Sequence, residues 1–86
     1  MRVFIFTKHA LEKFIILKKH KFCITRKQVI ITLEKPDLID FSRFPLFIAQ
    51  KKIDDKHVLR VVFKKEQYQI KIITFYPGRV RKYKYE

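Results

Sequence analysis

His57-Val58-Leu59-Arg60-Val61-Val62-Phe63-Lys64, then Lys65-Glu66-Gln67, then Tyr68-Gln69-Ile70-Lys71-Ile72-Ile73-Thr74-Phe75-Tyr76 is the stretch that decides the fold. Both long runs are dominated by β-branched and aromatic residues, the types that fit a pleated, half-buried surface. A short polar segment joins them, and Asp54-Asp55 and Pro77-Gly78 bound the whole, so the pattern predicts a central antiparallel hairpin. Side chains alternate along a strand. Leu59, Val61 and Phe63 therefore share one face, and Val58, Arg60 and Val62 the other, with Arg60 as the polar exception.

Upstream of the hairpin, Leu46 to Ile53 reads as a further strand and Leu38-Ile39-Asp40-Phe41 as a short one. Pro45 fits only an edge or a connection between them. Residues 2–6 are apolar and extended in character, either a short strand or a lead-in. From Lys8 to about Lys21 the period is helical, with Ala10, Phe14 and Leu17 on one face and Thr7 placed to cap it. His9 and Lys13 project in the adjacent, mostly polar row. Thr25-Arg26-Lys27-Gln28 fits a capping box and opens a second helix, which Pro36 ends. Arg79 to Glu86 alternates basic and aromatic residues and reads as an added edge strand.

The 86 residues make one small domain, 1–86, able to bury about two-thirds of its unfolded surface. Strands linked by short turns form an antiparallel sheet, and two helices ahead of them must cover one face. The expected class is therefore α+β, with two N-terminal helices packed on one face of a four-stranded, mainly antiparallel twisted sheet. Its other face is expected to stay open.

The charge is the loudest compositional feature: 21 Lys and Arg against 8 Asp and Glu, a formal +13. Such an excess destabilises a compact chain by self-repulsion, which points to a polyanionic partner. The cations are spread along the chain, as a folded basic surface requires; a solvated lysine-rich surface with no partner is the bland rival. Several chemistries are excluded. Gly78 is the only glycine, so no Gly-rich phosphate loop exists. The three His, one Cys and the Asp54-Asp55 pair have no metal-ligand spacing, and Ser42 has no nucleophile elbow. Cys23, between Phe22 and Ile24, reads as a small packed side chain, and one cysteine forms no internal disulfide. No apolar run approaches the ~18 residues of a membrane span. A cytoplasmic protein without cofactor is the expectation.

The order Thr7-Lys8-His9-Ala10, a helix, a second capped helix ending near Pro36-Asp37, a Lys-rich strand, Leu59-Arg60-Val61-Val62-Phe63 and Ile72-Ile73-Thr74-Phe75-Tyr76 resembles the DUF4258 family of small proteins. That family is similar in layout to BrnT-type and RelE-type bacterial toxins. The resemblance covers nearly the whole chain through short motifs. It implies a RelE/BrnT-like fold and a metal-independent, toxin-type endoribonuclease acting on free or ribosome-bound RNA and neutralised by an acidic antitoxin protein. Matched residue by residue, the family's His falls on His9, its strand Arg on Arg60, and the Thr and Tyr of its last strand on Thr74 and Tyr76. Where the family often carries Arg on the first helix, this chain has Lys13, a charge without the bidentate fork.

Metal-independent RNA cleavage needs a base for the 2′-OH, an acid for the leaving 5′-oxygen and cations for the phosphorane. His9 is the expected base or acid, since an unperturbed imidazole titrates near pH ~6.5. Arg60 is the expected phosphate clamp, with Tyr76 stacking on a base or donating a proton. Lys13, Lys51 or Lys52, Thr74, Arg79 and Arg81 are expected around the substrate; strand alternation lets only one of Lys51 and Lys52 line the open face. Each has a plainer reading: His9 as a solvated first-turn residue, Arg60 extended to water, Tyr76 as core, His57 solvated after a turn. The alternative function is a non-catalytic nucleic-acid-binding module on the same fold. It would use Arg79 and Arg81 with Tyr83 and Tyr85 for phosphate and base contacts.

Overall fold

A computed structural model describes residues 3–82. The elements run β1 (Val3–Phe6), α1 (Lys8–Lys19), α2 (Arg26–Glu34), β2 (Leu38–Asp40), β3 (Phe47–Lys52), β4 (His57–Glu66), β5 (Gln69–Arg79) and a 3-10 turn, Val80–Lys82. The strands form one sheet in the order β1-β5-β4-β3-β2. Every pairing is antiparallel except β1 with β5, which is parallel.

The expected four-stranded sheet is thus corrected to five. Residues 3–6 are a true strand, paired with Gln69 to Ile72, and the helices and remaining strands intervene between the two. The C-terminal edge strand is corrected as well. β5 continues through Pro77 and Gly78 to Arg79, and the chain then turns into the 3-10 segment. Tyr83 to Glu86 lie outside the described residues. Pro77 is tolerated because β1 pairs only as far as Ile72, so its missing N–H faces an edge with no strand among the described residues. The hairpin turn tightens to Gln67 and Tyr68.

Local chemistry sets the helix ends. Thr7 Oγ1 accepts from the Ala10 N–H at 3.1 Å and donates to the Ile73 carbonyl at 3.0 Å, so the cap of α1 is also its tie to β5. At the other end Lys21 has φ 65°, with its N–H on the Lys18 carbonyl and the Phe22 N–H on Leu17. That is a Schellman closure with a lysine in the left-handed position glycine ordinarily takes. It stops α1 at Lys19, two residues short of the expected end. At α2, Thr25 and Gln28 form both bonds of the capping box.

Both helices cover one face of the sheet. Ala10, Leu17, Val29 and Leu33 bury against Leu59, Val61, Phe63, Ile72 and Phe75, and Phe14 meets Phe75 with ring centroids 4.6 Å apart. Cys23 is exposed; Ile24 is the buried residue of that segment. A β-bulge fixes which side chains of β5 join this core. Val62 pairs with Thr74 but Phe63 pairs with Ile72, leaving Ile73 as the extra residue. Ile72 and Phe75 therefore both face the helices, while Thr74 and Tyr76 turn to the face that carries Arg60.

Candidate functional site

Arg60 sits at the middle of the face opposite the helices, in the cross-strand row Leu38, Gln50, Arg60, Tyr76. Three of its N–H groups are taken by neighbours. Nε donates to Tyr76 Oη at 3.0 Å, Nη1 to Gln50 Oε1, and Nη2 to Asp40 Oδ2 at 3.1 Å. Asp40 is held below the usual carboxylate range first by hydrogen bonds from the Ser42 side chain and N–H, with Arg60 adding a smaller share against partial burial. Arg60 is only 6% exposed and Gln50 1%, and Val58 and Ile48 beside them are buried too. The expected open face is thus closed at its centre, and the guanidinium serves the sheet as a tie between β2, β3, β4 and β5. Thr74 Oγ1 is also buried, without a hydrogen-bond partner among the described residues.

The structure does not bring His9 to Arg60. His9 is exposed on α1, in the helical layer, and the sheet lies between that layer and the face carrying Arg60. Lys13 shares its row on α1. Lys51 points to the helix side, where Nζ donates to the Lys35 carbonyl at 3.0 Å. Lys52 alone of that pair lies on the Arg60 side, exposed.

A different group of residues converges at the end of the sheet where β5 outruns β1. A cleft there is lined by Phe22, His57, Tyr76, Pro77, Gly78, Arg79 and Lys82. A second depression shares Arg79 and is lined besides by Asp55, Lys56, Val80 and Arg81. The 3-10 turn is anchored here by the Val80 N–H on the Lys56 carbonyl at 2.8 Å. Of the expected site residues, Arg79 lines both the cleft and the depression, Tyr76 the first and Arg81 the second. Lys56, Arg79, Arg81 and Lys82 supply four cations, and Tyr76 links the cleft to the Arg60 tie.

His57 is the member that sequence reasoning missed. Asp54 Oδ1 accepts the N–H groups of Lys56 and His57, each at 2.8 Å, and lies 3.0 Å from His57 Nδ1. The Lys56 N–H, followed by the His57 contacts, holds the Asp54 carboxyl below its ordinary range in spite of some desolvation. An ionised carboxylate only accepts hydrogen bonds. Nδ1 therefore carries a proton in this contact, and Nε2 is the ring nitrogen that Asp54 leaves unengaged. Phe22 packs against the ring at a near right angle, with centroids 5.1 Å apart. The readable signal is Asp54 three residues before His57 in a short loop, a spacing that folds a carboxylate onto the N–H groups that follow.

Among the described residues no group of three His, Cys, Asp or Glu side chains is placed to hold a metal ion, and no helix is long and apolar enough to cross a membrane. Comparison with protein-family models, curated proteins and solved structures finds no match, so the resemblance to the DUF4258 family gains no support from them.

Proposed function

We propose that this chain is an RNA-binding module of the cytoplasm that grips the phosphodiester backbone along the edge of β5. The observation that carries the reading is the convergence of cations at this end of β5: Arg79 and Lys82 line the cleft that holds the His57 imidazole, and Lys56, Arg79 and Arg81 line the depression that shares Arg79. Cations that track a backbone supply the sequence-independent part of single-strand binding. The formal +13 supplies the long-range attraction. Binding of a short labelled single-stranded RNA, followed by fluorescence anisotropy against salt, tests it. Arg79→Ala/Arg81→Ala should weaken binding and flatten the slope of log K against log salt by about 0.7 for each phosphate left unneutralised. An unchanged slope sinks the reading.

A second reading is favoured by the Asp54–His57 contact: a metal-independent endoribonuclease of the toxin type with His57, in place of His9, as base. The 2′-oxygen would attack phosphorus and give its proton to Nε2. The P–O5′ bond would break, and the departing 5′-oxygen would take a proton from water, leaving a 2′,3′-cyclic phosphate. An acidic antitoxin partner belongs to this reading. In EDTA, His57→Gln should abolish cleavage and His9→Ala should not; intact RNA with the wild type leaves the binding module alone.

A further inference from the structure

The three most exposed aromatic side chains among the described residues lie toward the other end of the sheet. Phe41 is 64% exposed and Phe44 78%, both in the β2–β3 connection, and Tyr68, at 78%, is in the β4–β5 turn. β3 and β4 are antiparallel, with Phe47 opposite Phe63, so the start of β3 and the end of β4 share one end of the molecule. Phe41 and Phe44 each stand nearly perpendicular to Phe47, at 5.6 and 6.0 Å between centroids. One ring thus fixes both while most of their surface stays in water. Rings so exposed raise the free energy of the isolated protein unless something covers them.

The charge around them selects what does. Arg43 lies between the two phenylalanines, Lys64 and Lys65 end β4, and Lys65 Nζ is 5.5 Å from the Phe47 centroid. The carboxylates of this end are occupied: Asp40 by Arg60 and Ser42, Glu66 by the Gln69 side-chain amide at 2.6 Å. Of the exposed aliphatic residues, Leu11, Ile15 and Ile16 lie on α1 and Ile5 on β1, while Val3, paired with Gln69, directs its N–H to the Tyr68 carbonyl at 3.5 Å. An end with rings and cations, and no free carboxylate among the described residues, matches a ligand made of flat π-faces on a polyanion.

We infer that Phe41, Phe44 and Tyr68 form a stacking platform for the bases of single-stranded nucleic acid, separate from the cleft at Arg79. The inference rests on the RNA-binding reading above and adds base contact to it. Bases stack on aromatic rings whatever their sequence, so the platform is expected to be sequence-tolerant and to lose its ligand on base removal.

The experiment compares single-stranded RNA with an abasic ribose-phosphate strand of equal length on wild type, Phe41→Ala/Phe44→Ala/Tyr68→Ala and Arg79→Ala/Arg81→Ala. Wild type should bind the base-bearing strand about tenfold or more tighter than the abasic one, given the strength of base–aromatic stacking. The triple aromatic variant should bind both strands equally, as tightly as wild type binds the abasic strand, with its salt slope intact and its circular dichroism unchanged. The arginine variant should weaken both strands alike. If wild type fails to discriminate the strands, or the triple variant still does, the platform is overturned while the cleft reading stands. If wild type binds neither strand, both fall. A wild type that is dimeric by light scattering, with a monomeric triple variant, overturns the platform in favour of self-association.

Discussion

Replacing Arg60 by lysine keeps the charge and removes the fork, and the structure sets how much this should matter. The guanidinium reaches Tyr76 Oη, Gln50 Oε1 and Asp40 Oδ2 from three separate nitrogens. A lysine ammonium is a single point and keeps one of the three. Gln50 is 1% exposed, so water cannot replace a missing partner there. Hydrogen bonds to a charged group contribute about 1.5–3 kcal/mol each, so losing two should cost about 3–6 kcal/mol. Native domains are stable by about 5–15 kcal/mol in total, so Arg60→Lys should be close to unfolding at room temperature. Urea denaturation followed by far-UV circular dichroism reads this directly. Arg60→Met/Gln50→Leu should recover much of the loss seen in Arg60→Met alone, because it removes the buried acceptor along with its donor. The folded fraction of each variant should still bind RNA. A loss below about 1 kcal/mol in Arg60→Lys, or a double variant no better than Arg60→Met, refutes the structural tie.

Lys21→Gly should stabilise the protein by about 0.5–1 kcal/mol, since it relieves the left-handed backbone at the end of α1 and gives back part of that gain as chain entropy; an unchanged or lower urea midpoint counts against the Schellman closure. Asp40 and Asp54 have folded pKa values depressed below their unfolded ones. Each therefore contributes stability that is present above the unfolded value, about 3.9, and lost as pH falls through the folded value. Urea midpoints should drop on acidification in that window, and Asp40→Asn should be less stable at neutral pH with a shallower drop. An equally steep drop in Asp40→Asn removes that carboxylate from the account.

The hairpin is legible because β4 and β5 are dense in residues that favour strands whatever their surroundings. Thr7 and Thr25 announce the helix starts through local hydrogen bonding that needs no tertiary context. β1 is harder to read, because four apolar residues do not specify whether they pair, and their partner lies at the far end of the chain. The extra residue Ile73 is invisible to strict alternation, which assigns Ile72, Thr74 and Tyr76 to one face. The packing of Ile72 and Phe75 under the helices, and not any local preference, puts the bulge there. The same limit hides the site. Arg60 reads as an exposed clamp because sequence shows the residue and not Asp40, Gln50 and Tyr76 around it. His57 reads as solvated because nothing in its own run reveals that Asp54 folds back onto the ring.

The decisive question is where a phosphate backbone meets the protein. Amide chemical shifts of isotope-labelled wild type, titrated with an abasic ribose-phosphate strand, locate that meeting point without any contribution from bases. The amides of His57, Tyr76, Gly78, Arg79 and Lys82 should move first and saturate together. Shifts centred on His9 and Lys13, or spread evenly over the lysines of the whole surface, would contradict it.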